Sequence, residues 1–308
     1  MKVPGNKNRN ILHKPVMVNE VMSALHLNIR NLHANSQKSF VDATVGTGGY
    51  TSEIVKLGGK VLGIDIDSEI LAVARRRLEK EYGSGSFSLI QDNFRNIDKI
   101  AKAHGFDKVD GIIFDLGVSS IHLTDETRGF SFAKRDTPLD MRLDRNSQGI
   151  TAADLLKVLR EDQLRILFGR VLKIPEARKI TREVLNVRQG KEIKTVGDFI
   201  DICRVIRAKP GLNIATLPFL ALRIAVNSEL ENLTESLPKA FEILKLGGRL
   251  VVITFHSEER KIMNYFFEKI EKETKARIIT QKPVLPIPEE VIVNPGSRSA
   301  NLWVLEKV

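Results

Sequence analysis

The chain has 308 residues, 42% of them hydrophobic and 28% charged, with a net charge of +10. That is room for one large domain, or two ordinary ones, with a sizeable core. No apolar run approaches the ~20 residues that cross a bilayer, and the lone cysteine, Cys203, excludes an internal disulfide and a zinc–thiolate cluster.

No signal-peptide apolar segment occurs before Phe40, so a cytoplasmic protein is expected. The histidines (His13, His26, His33, His104, His122, His256) have no ligand spacing, and no metal site is expected. The basic balance suits an anionic partner such as nucleic acid, although basic soluble proteins are common.

In chain order, Phe40–Val45 is the first short apolar strand and Tyr50–Leu57 has helical spacing after it. Lys60–Asp65 ("KVLGID") is the second strand. Ser68–Tyr82 is a helix, with Ile70, Leu71, Ala74 and Leu78 on one stripe and Ser68 as the expected N-cap. Phe87–Gln91 and Val109–Leu116 are the third and fourth strands. Strands alternating with helices predict a parallel sheet in an α/β fold.

From about Gly117 to Leu212 no buried strand appears. A polar, turn-rich stretch is followed by helical patterns at Ala152–Leu159, Glu161–Leu172, Ala177–Val187 and Val196–Ile206. Ala215–Leu244 is a further long helical region. Gly247–His256 then reads as a strand with the buried run Leu250–Phe255, and Ala276–Gln281 and Asn301–Lys307 are the last candidates. A gap of this length exceeds an ordinary crossover. The expected organisation is an α/β domain (1–117 and 213–308) with a helical domain inserted at 118–212. From Leu116 to Leu212 there are 19 Lys/Arg against 13 Asp/Glu, a net +6 of the total +10.

The stretch "VDATVGTGGYTSEIV" (Val41–Val55) carries the first chemistry. A dinucleotide fingerprint needs G-x-G-x-x-G, and Thr51 stands where its third glycine belongs. Asp42, Gly46 and Gly48 instead fit the loop that holds S-adenosylmethionine. Glycines let the backbone close on the ligand, and the next helix N-terminus offers N–H groups to its carboxylate. Asp65, ending the second strand, is placed to accept both ribose hydroxyls. Asp92 or Phe94 follows the third strand, where a side chain can lie against adenine. Asp115 ends the fourth strand and faces the ligand crevice, which makes it the candidate to meet the reacting groups.

The motifs "HKPVMVNEV" (13–21), "DATVGTGGYT" (42–51), "DGIIFDLGVSS" (110–120), "RGFSF" (128–132), "PLDMRLD" (138–144), "ALRIAVNSELENL" (221–233), "LKLGGRLVVITFHS" (244–257) and "NPGSRSANL" (294–302) run almost end to end. With them the chain resembles the bacterial 16S ribosomal RNA cytosine-N4 methyltransferases, the MraW/RsmH type. The resemblance implies a Rossmann-like S-adenosylmethionine-dependent methyltransferase domain with an inserted helical, RNA-holding domain. It implies cofactor contacts at Gly48, Gly49, Tyr50, Asp65, Phe94, Asp115 and His122, and a decoding-centre cytidine of the small ribosomal subunit as substrate. Tyr50 stands where the family usually has His, and His122 where it has Gln. "ATLPFLALR" (215–223) lacks one arginine of the family pattern, and "NPGSRSANLW" (294–303) lacks three of its basic residues.

Asp115, or backbone carbonyls beside it, is the expected acceptor for the amine hydrogens. Arg128, Arg135, Arg142 and Arg298 are the candidates for holding RNA phosphates, with Arg142 alternatively tying its own loop through Asp140 or Asp144. A homodimer is compatible with the sequence. Competing readings are an amino-methyltransferase on another nucleic acid, an RNA-binding assembly factor without turnover, and, third, a nicotinamide oxidoreductase.

Overall fold

The computed structural model describes residues 15–27, 37–207 and 210–308. Its sheet comprises β1 (Ser39–Asp42), β2 (Lys60–Asp65), β3 (Phe87–Gln91), β4 (Val109–Asp115), β5 (Leu244–Thr254), β6 (Ala276–Ile278) and β7 (Asn301–Lys307), in the order β3-β2-β1-β4-β5-β7-β6. β1 to β5 run parallel, and β7 is antiparallel between β5 and β6. This is a Rossmann-like doubly wound sheet. The strand order reverses between β1 and β4, and such a reversal opens a ligand crevice at the carboxyl ends. Asp42 of β1 pairs in register with Ile113 of β4, so Asp42 and Asp115 end neighbouring strands.

The helices are α1 (Val18–Ala24), α2 (Gly49–Lys56), α3 (Ser68–Tyr82), α4 (Ile97–Ala103), α5 (Ser120–Thr124), α6 (Ala152–Val158), α7 (Glu161–Gly169), α8 (Ile174–Gly190), α9 (Val196–Cys203), α10 (Thr216–Asn227), α11 (Glu229–Glu242), α12 (Ser257–Lys272) and α13 (Pro288–Val293). The N-cap of α3 is Asp67, not Ser68. The Asp67 carboxylate accepts N–H bonds from Glu69 and Ile70 at 2.9 and 3.2 Å, which Ser68, already the first helical residue, cannot do. The long helical region after Ala215 is two helices, because Ser228 takes a left-handed φ of 50° and ends α10.

The chain divides into two units. A sheet unit spans Met1–Ser119, Pro238–Phe255 and Phe266–Val308; a helical unit spans Ser120–Leu237 and His256–Tyr265. The helical unit takes in α10, which packs on α6 and α7. In the sheet unit, Phe40, Val61, Ile113 and Val251 are fully buried against Ile54, Leu78 and Tyr50. Each such aliphatic or aromatic side chain contributes roughly 1.5–3 kcal/mol by leaving water. In the helical unit, α8 packs on α7 and α9, and Phe168, Phe199 and Phe219 form a continuous aromatic contact.

Candidate active site

The turn after β1 needs left-handed backbone at Gly46 (φ 51°) and Gly48 (φ 82°). A Cβ on Gly48 would meet Leu78 Cδ1 at 3.0 Å, and one on Gly49 would meet Pro15 Cγ at 2.6 Å. Those two glycines are thus demanded by protein packing, and a ligand can reach them only through backbone. A Cβ on Gly46 would meet nothing nearer than Thr44 O at 3.9 Å, so this side of the turn is open. Gly48 is the N-cap of α2, which has no side-chain cap, leaving its first turn suited to an anionic group.

Asp65 is held by the same turn. Its Oδ2 accepts the Gly46 N–H at 2.8 Å and its Oδ1 accepts the Asp67 N–H at 2.9 Å. The two bonds orient the carboxylate beside the turn. Asp42, beneath the turn, is fully buried and accepts the Thr51 hydroxyl at 2.8 Å. Burial pushes its carboxyl up to about 6, against the hydrogen bonds from Thr51 and the Thr44 backbone.

Thr44 stands where a glycine is common in such loops, and the structure gives it a task. Its Oγ1 accepts the backbone N–H of Asp115 at 2.7 Å, tying the ends of β1 and β4 together. Tyr50, on α2, is buried and donates its hydroxyl to Val16 O at 2.6 Å. Burial pushes that hydroxyl well above its ordinary value, and the neighbouring Asp115 and Asp42 add to the effect. Tyr50 and Asp115 are therefore adjacent. Phe94 follows β3 in a single 3-10 turn and packs edge-on against Phe114, with ring centroids 5.5 Å apart. Asp92 is committed to the Asn93 N–H and the Asn96 amide, at 2.6 and 3.0 Å. These contacts fit a nucleoside cofactor with a carboxylate end: an open-sided glycine turn, an uncapped helix start, an oriented acid for hydroxyls and an aromatic ring.

The remaining candidates divide differently from expectation. His122 belongs to the helical unit, where it is buried with its ring 5.1 Å from that of Phe130. Arg128 is buried and donates to the carbonyls of Arg142 and Leu143 at 3.1 and 2.6 Å. Arg142 forks onto Asp140 at 2.7 and 2.9 Å, and also donates to Gln148 O at 2.7 Å. Both side chains are engaged within their own loop. Of the two loop-tying alternatives for Arg142, the acid is Asp140. Arg135 pairs with Asp201 at 2.6 Å. Arg298, in the sheet unit, is exposed and has no ion-pair partner among the described residues.

Sequence spacing missed two groupings in the helical unit. Asn227 donates to Met141 O at 2.9 Å and accepts the Leu143 N–H at 3.0 Å, joining the "PLDMR" and "ALRIAVN" motifs. Glu229, His256 and Glu259 bring their ligand atoms within 4.8 Å of one another. Arg223 forks onto Glu229 at 2.9 Å through both nitrogens, and His256 Nε2 lies 3.1 Å from Glu259. Both carboxylates thus already have nitrogen partners. His256 caps α12: its N–H donates to Glu259, and its Nδ1 accepts the Glu259 N–H.

A doubly wound sheet whose switch point carries this turn, without the third glycine of a pyrophosphate cradle, defines a Rossmann-like methyltransferase core. The chain belongs to the MraW methylase family, whose model matches residues 10–308. It is 42% identical over 304 residues to ribosomal RNA small subunit methyltransferase H of Thermotoga neapolitana, covering 96% of each chain. It is 38% identical over 299 residues to the protein of that name from Dictyoglomus thermophilum, covering 96% of this chain and 97% of that one. A solved rRNA methylase from Streptococcus thermophilus is 14% identical, with a TM-score of 0.45 over 94% of this chain and 96% of its own.

Proposed function

We propose that this chain methylates the N4 amine of a decoding-centre cytidine in small-subunit (16S) ribosomal RNA. The names of its relatives, methyltransferases of small-subunit ribosomal RNA, support methyl transfer to that RNA; on this reading the partner is the small ribosomal subunit, in the cytoplasm. S-adenosylmethionine, when bound, supplies the electrophilic methyl group. The observation that carries the reading is the placement of Asp65 and Asp115 at the carboxyl ends of β2 and β4, the strands flanking β1, with Asp65 bonded to the Gly46 N–H and Asp115 to Thr44.

Asp65 accepts the ribose hydroxyls, the first turn of α2 receives the amino-acid carboxylate, and Phe94 offers its ring to adenine. The cytosine amine is a weak nucleophile because its lone pair is delocalised into the ring. A carboxylate that accepts an amine hydrogen lets the nitrogen become tetrahedral and takes the proton released when the N–C bond forms. Asp115 fills that role. Alignment of amine and methyl carbon contributes the rest. The base must leave its stack to reach a site of this kind.

The test is Asp115→Ala and Asp115→Asn, with S-adenosylmethionine affinity and methyl incorporation into small ribosomal subunits measured separately. Turnover is expected to fall by about 100-fold or more, in line with loss of a general base. Unchanged turnover removes Asp115 from the chemistry.

A further inference from the structure

The helical unit has lost two of its candidate phosphate contacts to its own loop, and a third to Asp201. Every other Lys or Arg from Arg128 to Arg204 is likewise committed to an acid or a carbonyl, save four. Lys173, Arg178, Lys179 and Arg182 have neither ion pair nor hydrogen-bonded partner among the described residues, and all four are exposed. They fall within ten consecutive positions, on α8 and its N-cap.

The geometry points to the outer face of α8 as a docking surface for the phosphate backbone of the RNA substrate. This rests on the reading that the substrate is RNA. The inner face is fixed by Ala177, Ile180, Thr181 and Val184, which are buried, so the opposite face is turned to solvent. Arg178 and Arg182 sit one turn apart, about 6 Å along the axis. That is inside the ~10 Å screening length, so with Lys179 they act on a ligand as one field. The acids of the helix, Glu176 and Glu183, are only half exposed and pair with none of these cations. Asn186 and Gln189 continue the stripe as exposed, uncharged hydrogen-bonding groups.

Like charges at i and i+4 weaken a helix. Arg178 and Arg182 are such a pair, and neither forms an ion pair with Glu176 or Glu183, an arrangement suited to a polyanion. Backbone contacts of this type position the RNA without reading its sequence, leaving base selection to the pocket.

The experiment compares the wild-type protein with the triple variant Arg178→Gln, Lys179→Gln, Arg182→Gln and with a charge-keeping Arg178→Lys, Arg182→Lys variant. Binding to deproteinised small-subunit ribosomal RNA is followed across a salt series, with S-adenosylmethionine affinity and thermal unfolding measured alongside. Removing three phosphate contacts should flatten the slope of log affinity against log salt by about 2 to 3, and weaken binding by about tenfold or more at low salt. The lysine variant should keep the wild-type slope, and cofactor affinity should not change. Should the triple variant unfold at the assay temperature, the single substitutions carry the test, each with a slope change of about 1. A wild-type slope and affinity in the neutral variants overturns the surface. Wild-type RNA binding without any methyl transfer would instead sink the catalytic reading and leave the surface standing.

Discussion

Thr44 Oγ1 accepts the backbone N–H of Asp115 at 2.7 Å, so the strand end that carries the proposed proton acceptor is pinned by a side chain from the turn after the neighbouring strand. Thr44→Val keeps the shape and removes the acceptor. An N–H left without its partner costs about 1–3 kcal/mol. Because Asp115 then shifts, methyl transfer should fall by up to roughly 100-fold while Thr44→Ser stays near wild type. Denaturant unfolding and methyl incorporation check the two parts, and equal activity of all three proteins would contradict the pinning.

Asp42 sets a pH dependence. Its folded value of about 6 lies above the ordinary 3.8, so the folded state binds its proton more tightly than the unfolded chain does. The stabilisation is complete below the ordinary value and is lost as pH rises through about 6. At 1.36 kcal/mol per unit, the loss between pH 4 and 6 is ~3 kcal/mol. Asp42→Asn cannot titrate. The difference in unfolding free energy between wild type and variant should therefore change in the variant's favour across that window, and a constant difference would contradict the assignment.

Cys203 is fully buried on α9, and burial pushes its thiol up. Thiolate is the reactive form. A thiol reagent should leave the native protein unlabelled at neutral pH and label it stoichiometrically in denaturant. Rapid native labelling would contradict the packing of α9.

Asn227→Ala should loosen the loop it binds. The change leaves Met141 O and the Leu143 N–H without their shared partner, at about 1–3 kcal/mol for each buried group. Hydrogen exchange at residues 141–148 is expected to speed up, while exchange in the β4 amides stays slow.

Much of this was readable in the sequence because period and punctuation agreed. The apolar runs at Lys60–Asp65, Phe87–Gln91 and Asn301–Lys307 are strands with those same ends. Asp65 ends such a run. The roles of Thr44 and Asn227 were not readable, since each acts on residues more than seventy positions away and carries no local pattern. The loop partners of the arginines were hidden for the same reason. Arg128 and Arg142 look like surface charges in a polar stretch, and only the folded loop reveals the carbonyls and the Asp140 carboxylate that absorb them. The missing strands pointed to a helical insert, and its end has no local signal. α10 has a continuous apolar pattern that suits either unit, and tertiary packing on α6 and α7 assigns it.

The most direct test of the central claim is mass mapping of small-subunit ribosomal RNA from unmethylated subunits incubated with S-adenosylmethionine, with and without this protein. One decoding-centre cytidine heavier by a single methyl group, carried on N4, is expected, and no such product with Asp65→Ala. A methyl group on another atom or another RNA, or none at all from a protein that binds the cofactor, would contradict it.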